Sequence, residues 1–141
     1  MPKLPAPCLL CRGRRSERAD GSLRCARCGW RFGDAPDPDL PPPRVDVVYY
    51  LRWRDRIKIG TSANPRQRLA AITHEELLAF ERGDRILERE RHEQFAPLRL
   101  GGEWFSADET LRAHALRLRG NRDPWDRYVR WFATELAAIT G

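Results

Sequence analysis

The sequence predicts an α+β protein built in two parts. Three observations carry this. Two Cys-x-x-Cys pairs are confined to residues 1–32, a proline-rich stretch follows them directly, and beyond it a succession of short patterns reads β-β-α-β-α-β-α-α. The chain has 141 residues, enough for one ordinary core plus a small accessory module. With 41% apolar and 33% charged residues it is neither collagenous nor wholly disordered. No segment approaches the ~18 apolar residues of a membrane span, so no membrane partner is expected. Residues 1–7 contain no apolar run of the kind a signal peptide needs, so the expected setting is cytoplasmic.

The four cysteines stand as Cys8-x2-Cys11 and Cys25-x2-Cys28, with thirteen residues between the pairs. Each pair turns two thiolates toward one tetrahedral cation, and the loop between the pairs closes the site. This is the spacing of a structural zinc ion held by Cys8, Cys11, Cys25 and Cys28. Asp20-Gly21 marks a turn, so the loop reads as a hairpin, and Gly29 allows the tight turn after the second pair. Two disulfides in a secreted protein are the alternative, which the N-terminal residues disfavour. A redox Cys-x-x-Cys would not need a duplicate. So short a segment buries little core, so the metal is expected to supply its folding free energy. With Cys28-Gly29-Trp30-Arg31 at its second knuckle, the segment resembles a zinc ribbon.

Charge is unevenly distributed. The formal net charge is +6. Residues 1–32 hold eight basic and two acidic side chains, residues 33–43 three aspartates and no base, and residues 44–141 eighteen basic and fifteen acidic side chains. The N-terminal module thus carries a charge equal to the whole excess, trimmed to about +4 by four thiolates on one dication. A basic balance points to nucleic acid or another anionic surface. Lys3 and Lys58 are the lysines and all other bases are arginines, a choice that suits phosphate but also follows from genome composition. Residues 33–44, with five prolines, read as an extended, semi-rigid spacer or, alternatively, a proline-recognition ligand.

The second part, residues 45–119, opens with a strand over Val45–Trp53, a turn at Arg54-Asp55 and a second strand over Arg56–Gly60. Asn64 as N-cap and Pro65 at the first helical position start a helix that runs to Ile72. Residues 74–80 read as a strand or a short helix. Gly83 or Asp84 opens a helix ending near Phe95, and residues 102–105 form a short strand. Ser106-x-x-Glu109 is a capping box for a helix over Leu111–Leu118. In residues 120–141, Asp123-Pro124 starts a final amphipathic helix whose stripe is Trp125, Tyr128, Phe132, Leu136 and Ile139. That stripe is a packing face or a dimer face, and the oligomeric state is left open.

Val47-Val48-Tyr49, then Lys58-Ile59-Gly60, then Arg68 stand in the order and spacing of the GIY-YIG nuclease signature, and the chain resembles that superfamily over residues 46–118. The downstream Glu88-x3-His92-x2-Phe95 and Gly102-Glu103-Trp104-Phe105 are similar to its branch named after a meiotically up-regulated gene, which also carries KIG as its second motif. The first motif here lacks its glycine and the second its tyrosine. The resemblance implies a central antiparallel sheet flanked by helices and metal-dependent hydrolysis of DNA phosphodiester bonds. It implies Tyr49 as the tyrosine that accepts or relays the water proton, with Tyr50 in reserve. Lys58 takes the second tyrosine's place, and Arg68, or Arg66 beside it, holds the scissile phosphate. Glu88 becomes the ligand of Mg2+ or Mn2+, and His92 its neighbour one helical turn on. Glu103 is either a further ligand or the structural ion-pair partner of an arginine. The expected function is a DNA endonuclease whose ribbon contacts or positions DNA. A non-catalytic nucleic-acid-binding protein on the same scaffold is the alternative, and a protein-interaction adaptor a weaker third.

Overall fold

In the computed structural model, which describes residues 2–140, the elements run β1 (Ser16–Ala19), β2 (Ser22–Cys25), β3 (Val47–Trp53), β4 (Arg56–Ser62), α1 (Pro65–Ala70), β5 (Glu76–Arg82), α2 (Arg85–Gln94), a 3-10 turn (Ala96–Leu98), β6 (Arg99–Gly101), β7 (Trp104–Ser106), α3 (Glu109–Arg119) and α4 (Pro124–Thr140). They form two compact units: Met1–Arg44 with Trp125–Gly141, and Val45–Pro124. Among the described residues, no helix is long and apolar enough to cross a membrane.

The first unit contains the hairpin β1–β2, whose turn residues Asp20 and Gly21 both have positive φ, at 51° and 74°. Such a turn matches the twist of the flanking strands. The last helix belongs to this unit. Arg27 Nε donates to Asp126 at 2.6 Å, and Arg130 donates to Glu17 at 3.1 Å and to the Ala26 carbonyl. Its buried face is Tyr128, Val129, Ala133 and Leu136. Ile139, at the end of the expected stripe, is exposed. Residues 34–46 carry no helix or strand.

The second unit is an antiparallel five-stranded sheet in the order β5-β3-β4-β7-β6, with helices packed on it. β3 and β4 are the long central pair because their residues, β-branched and aromatic, suit a pleated surface buried on both sides. Val47 to Leu51 are all fully buried. Val48, Tyr50, Ile57 and Ile59 join Phe95, Phe105, Leu111 and Ala115 in one core cluster. The stretch at 74–80 resolves into strand β5. The edge strand β6, not foreseen, is three exposed residues paired to β7.

Local capping follows side-chain chemistry. Asn64 accepts from the Gln67 amide and Asp84 from the Ile86 amide. The capping box expected at Ser106 is not formed. Ser106 is the last residue of β7, in register with Arg56, so it is committed to the sheet. Asp108 caps α3 instead, accepting from the Thr110 amide at 3.0 Å.

A polar network crosses this core. The Tyr50 hydroxyl donates to Glu81 at 3.0 Å and lies 3.2 Å from His114 Nε2, while Arg91 holds both Glu81 oxygens. Burial, then the Arg91 charge, keeps His114 below its ordinary pKa. Burial pushes the Glu81 carboxyl up, but the hydrogen bonds from Arg91 and Tyr50 outweigh it and hold Glu81 low. Glu81 is therefore a strand residue in a buried-edge network. Tyr50→Phe leaves two polar partners short and is expected to lower the unfolding free energy by about 1–3 kcal/mol in urea titrations. The pH dependence has a defined sign. The unfolded histidine takes up a proton below its ordinary 6.5 while His114 resists it, so stability falls as pH drops below that value toward the folded pKa. Glu81 extends the loss below its ordinary 4.5. Urea midpoints measured from pH 8 to pH 4 check both.

Candidate active site and metal centre

Tyr49 and Tyr50 point to opposite faces of β3 and meet different fates. Tyr50 is locked in the network above. Tyr49 stands opposite Gly60 in the β3–β4 register, and its ring occupies the space that a Gly60 side chain would fill. A Cβ built on Gly60 meets the ring at Oη and Cζ, with Cε1 at 2.9 Å. Glycine at this position is thus a steric requirement of the tyrosine. The ring is fully buried, and its hydroxyl receives Arg68 Nε at 3.5 Å, the long end of hydrogen bonding. Arg68 itself lies on the exposed side of α1.

Two carboxylates share this neighbourhood. Burial raises the Tyr49 pKa, the Arg68 hydrogen bond opposes that, and the charges of Glu103 and Glu88 add to it. Burial and then Glu103 raise Glu88, while His92, Arg85 and Lys58 pull it down. Glu88 Oε2 is buried with no hydrogen-bond partner. An orphaned buried carboxylate oxygen is costly unless something satisfies it. A single such oxygen fits a hard cation that keeps most of its waters, so Glu88 could hold Mg2+ or Mn2+.

Lys58 Nζ lies 3.5 Å from Glu103 and 5.5 Å from the centre of the Trp104 ring. Glu103 thus has a lysine partner rather than an arginine. His92 Nε2 is 2.8 Å from the Ile59 carbonyl, which can only accept, so this nitrogen is the donor. Its ring meets Phe105 edge-on at 5.0 Å. The Ile59 amide bonds the Glu103 carbonyl at 2.9 Å. His92 and residue 103 therefore both fasten to β4 at Ile59, between Lys58 and Gly60. An open pocket of about 400 Å³ beside them is lined by Arg85, Glu88, Arg89, His92 and Arg99. Arg85, Arg89 and Arg99 were not foreseen. Their one signal is their helical or loop spacing about Glu88 and His92.

In the first unit, the Cys8, Cys11, Cys25 and Cys28 sulfurs all lie within 4.8 Å of one another and could hold a metal ion. Cys8–Cys28 at 3.7 Å and Cys11–Cys25 at 3.5 Å are far beyond a disulfide bond, and all four cysteines are free. The knuckles are backbone turns: Arg12 N–H bonds the Cys8 carbonyl and Gly29 N–H the Cys25 carbonyl, with Gly29 at φ 81°. The Gly13 and Trp30 amides donate to the Cys11 and Cys28 sulfurs. Burial, then the charges on Cys11 and Cys25, push Cys28 far up, the mutual repulsion that a bound dication would relieve.

No family model, curated protein or solved structure matches the chain. The functional reading rests on these residues.

Two outcomes follow. Gly60→Ala is expected to cost about 1–3 kcal/mol by forcing the Tyr49 ring aside. In Tyr49→Ala/Gly60→Ala most of that cost should vanish, and urea titrations of the four proteins measure the non-additivity. Elemental analysis should find one metal ion per chain bound by the cysteines. Cys25→Ser or a chelator should remove it and melt the β1–β2 signals in amide NMR spectra.

Proposed function

We propose that residues 45–119 act as a GIY-YIG-type endonuclease domain that hydrolyses DNA phosphodiester bonds with Mg2+ or Mn2+. The four-cysteine module would be a zinc ribbon that positions the DNA. The observation that carries this reading is the meeting of Tyr49, Arg68, Glu88 and Glu103 in one electrostatic neighbourhood around the unpartnered Glu88 Oε2. Four soft thiolates at tetrahedral reach favour zinc in the ribbon, whereas a lone carboxylate favours a hard cation at Glu88.

When bound, the divalent ion supplies Lewis-acid activation and charge neutralisation at the scissile phosphate. The chain's own residues do the rest. Arg68, exposed and oriented by the Tyr49 hydroxyl, offers two N–H groups to the phosphate oxygens. Tyr49 keeps its proton at neutral pH because burial raises its pKa, so it orients the attacking water by hydrogen bonding rather than as a standing phenolate. Lys58 adds positive charge beside Glu88 and is held there by Glu103 and Trp104. His92 positions α2, and with it Glu88, against β4. A non-catalytic nucleic-acid-binding protein on this scaffold is the second reading, favoured by the concentration of basic charge in residues 1–32.

Supercoiled plasmid incubated with the protein and Mn2+ should be nicked or linearised. Glu88→Gln and Arg68→Ala should each slow the reaction by about 100-fold or more. Undiminished cleavage by either variant removes that residue from the mechanism. DNA binding without cleavage under Mg2+ and Mn2+ selects the second reading.

A further inference from the structure

We infer that the first unit carries a binding groove for single-stranded nucleic acid, with Arg24 and Arg31 holding a phosphate and Trp131 stacking a base. This rests on the nucleic-acid reading of the protein and is independent of catalysis. The groove encloses about 1040 Å³ between the outer face of the hairpin and α4, wholly within this unit.

Its arginines are placed in an arrangement that calls for an anion. Arg24 and Arg31 face each other across an antiparallel bridge, and both line the groove. Like charges directly opposite across a strand pair destabilise it. Two carboxylates also line the groove, and neither neutralises the pair: Glu17, in register with Arg24, pairs with Arg130 of α4 at 3.1 Å, and the exposed Asp34 makes no ion pair with Arg24 or Arg31 among the described residues. Arg24 is left with the Gly29 carbonyl at 3.3 Å. The exposed Arg31 guanidinium has no hydrogen bond or ion pair among the described residues. A phosphodiester seated between the two would relieve the repulsion with charge-assisted bonds.

Trp131, half-buried, lines the same groove. Paired guanidinium groups next to an aromatic face are the recognition chemistry of single strands, in which bases are free to leave the stack. Duplex DNA offers no free base face to Trp131.

Fluorescence anisotropy tests this with the zinc-loaded full chain, no Mg2+ or Mn2+ added, a fluorescein-labelled oligothymidylate of about twelve nucleotides, and a hairpin duplex of equal charge. The oligothymidylate should bind more tightly than the duplex. Arg31→Glu should weaken it at least about tenfold and lower the salt slope by about one. Trp131→Leu should weaken it about tenfold with the salt slope unchanged. Arg14→Glu, the same charge change on an exposed arginine outside the groove, should have a clearly smaller effect than Arg31→Glu. Retained zinc in each variant reports that the unit is folded. If the oligothymidylate binds no better than the duplex, or Arg31→Glu and Trp131→Leu bind like the unaltered chain, the groove is not the site although nucleic-acid binding stands. If neither probe binds, the nucleic-acid reading falls as well. Equal competition by polyglutamate would overturn the proposal in favour of an acidic peptide.

Discussion

The Tyr49 ring lies where a side chain on Gly60 would be, and the candidate site is organised around that close approach. It fixes the β3–β4 register, because sliding by one residue would set Ile59 or Thr61 in place of Gly60 opposite the ring. With the register fixed, Lys58 stands two residues from Gly60 and across from Trp104. Ile59, between them, offers its amide to Glu103 and its carbonyl to His92. Helix α2 is thus fastened to β4 by a side chain one turn from Glu88. The Tyr49 hydroxyl, at the end of a fully buried ring, meets Arg68 from α1.

The two tyrosines show how neighbouring residues on one strand acquire different chemistry. Tyr50 is buried among Glu81, Arg91 and His114, all of which have partners, so its hydroxyl is spent on holding strands and helices together. Tyr49 is equally buried at its ring but meets a long contact to an exposed guanidinium and the fields of two carboxylates, one with an orphaned oxygen. A satisfied network rigidifies, while an unsatisfied one is poised for a ligand.

Much of this was legible from local chemistry. The knuckle spacing, the Asp20-Gly21 turn and the Asn64 and Asp84 caps are each decided within a few residues, and each formed. What stayed hidden depends on distant partners. Ser106 has the spacing of a cap for α3, and only its pairing with Arg56 in the sheet leaves that place to Asp108. β6 has no apolar alternation of its own. Glu81 and His114 lie 33 residues apart in sequence and join only through Tyr50. The ion pairs Arg27–Asp126 and Glu17–Arg130, which bring α4 to the cysteine module, span about a hundred residues and leave no periodic trace. At the candidate site the residue types were readable from motif order, but the orphaned Glu88 oxygen and the fastening of His92 to Ile59 were not.

The central claim is that Glu88 holds a divalent cation within the field that also reaches Tyr49. Paramagnetic broadening by Mn2+ in amide NMR spectra of the zinc-loaded chain tests it most directly. The account predicts that substoichiometric Mn2+ broadens signals around Glu88 first, then those near Tyr49 and Glu103, and that Glu88→Gln abolishes the effect while the rest of the spectrum is unchanged. Broadening centred elsewhere, or undiminished in Glu88→Gln, would contradict it.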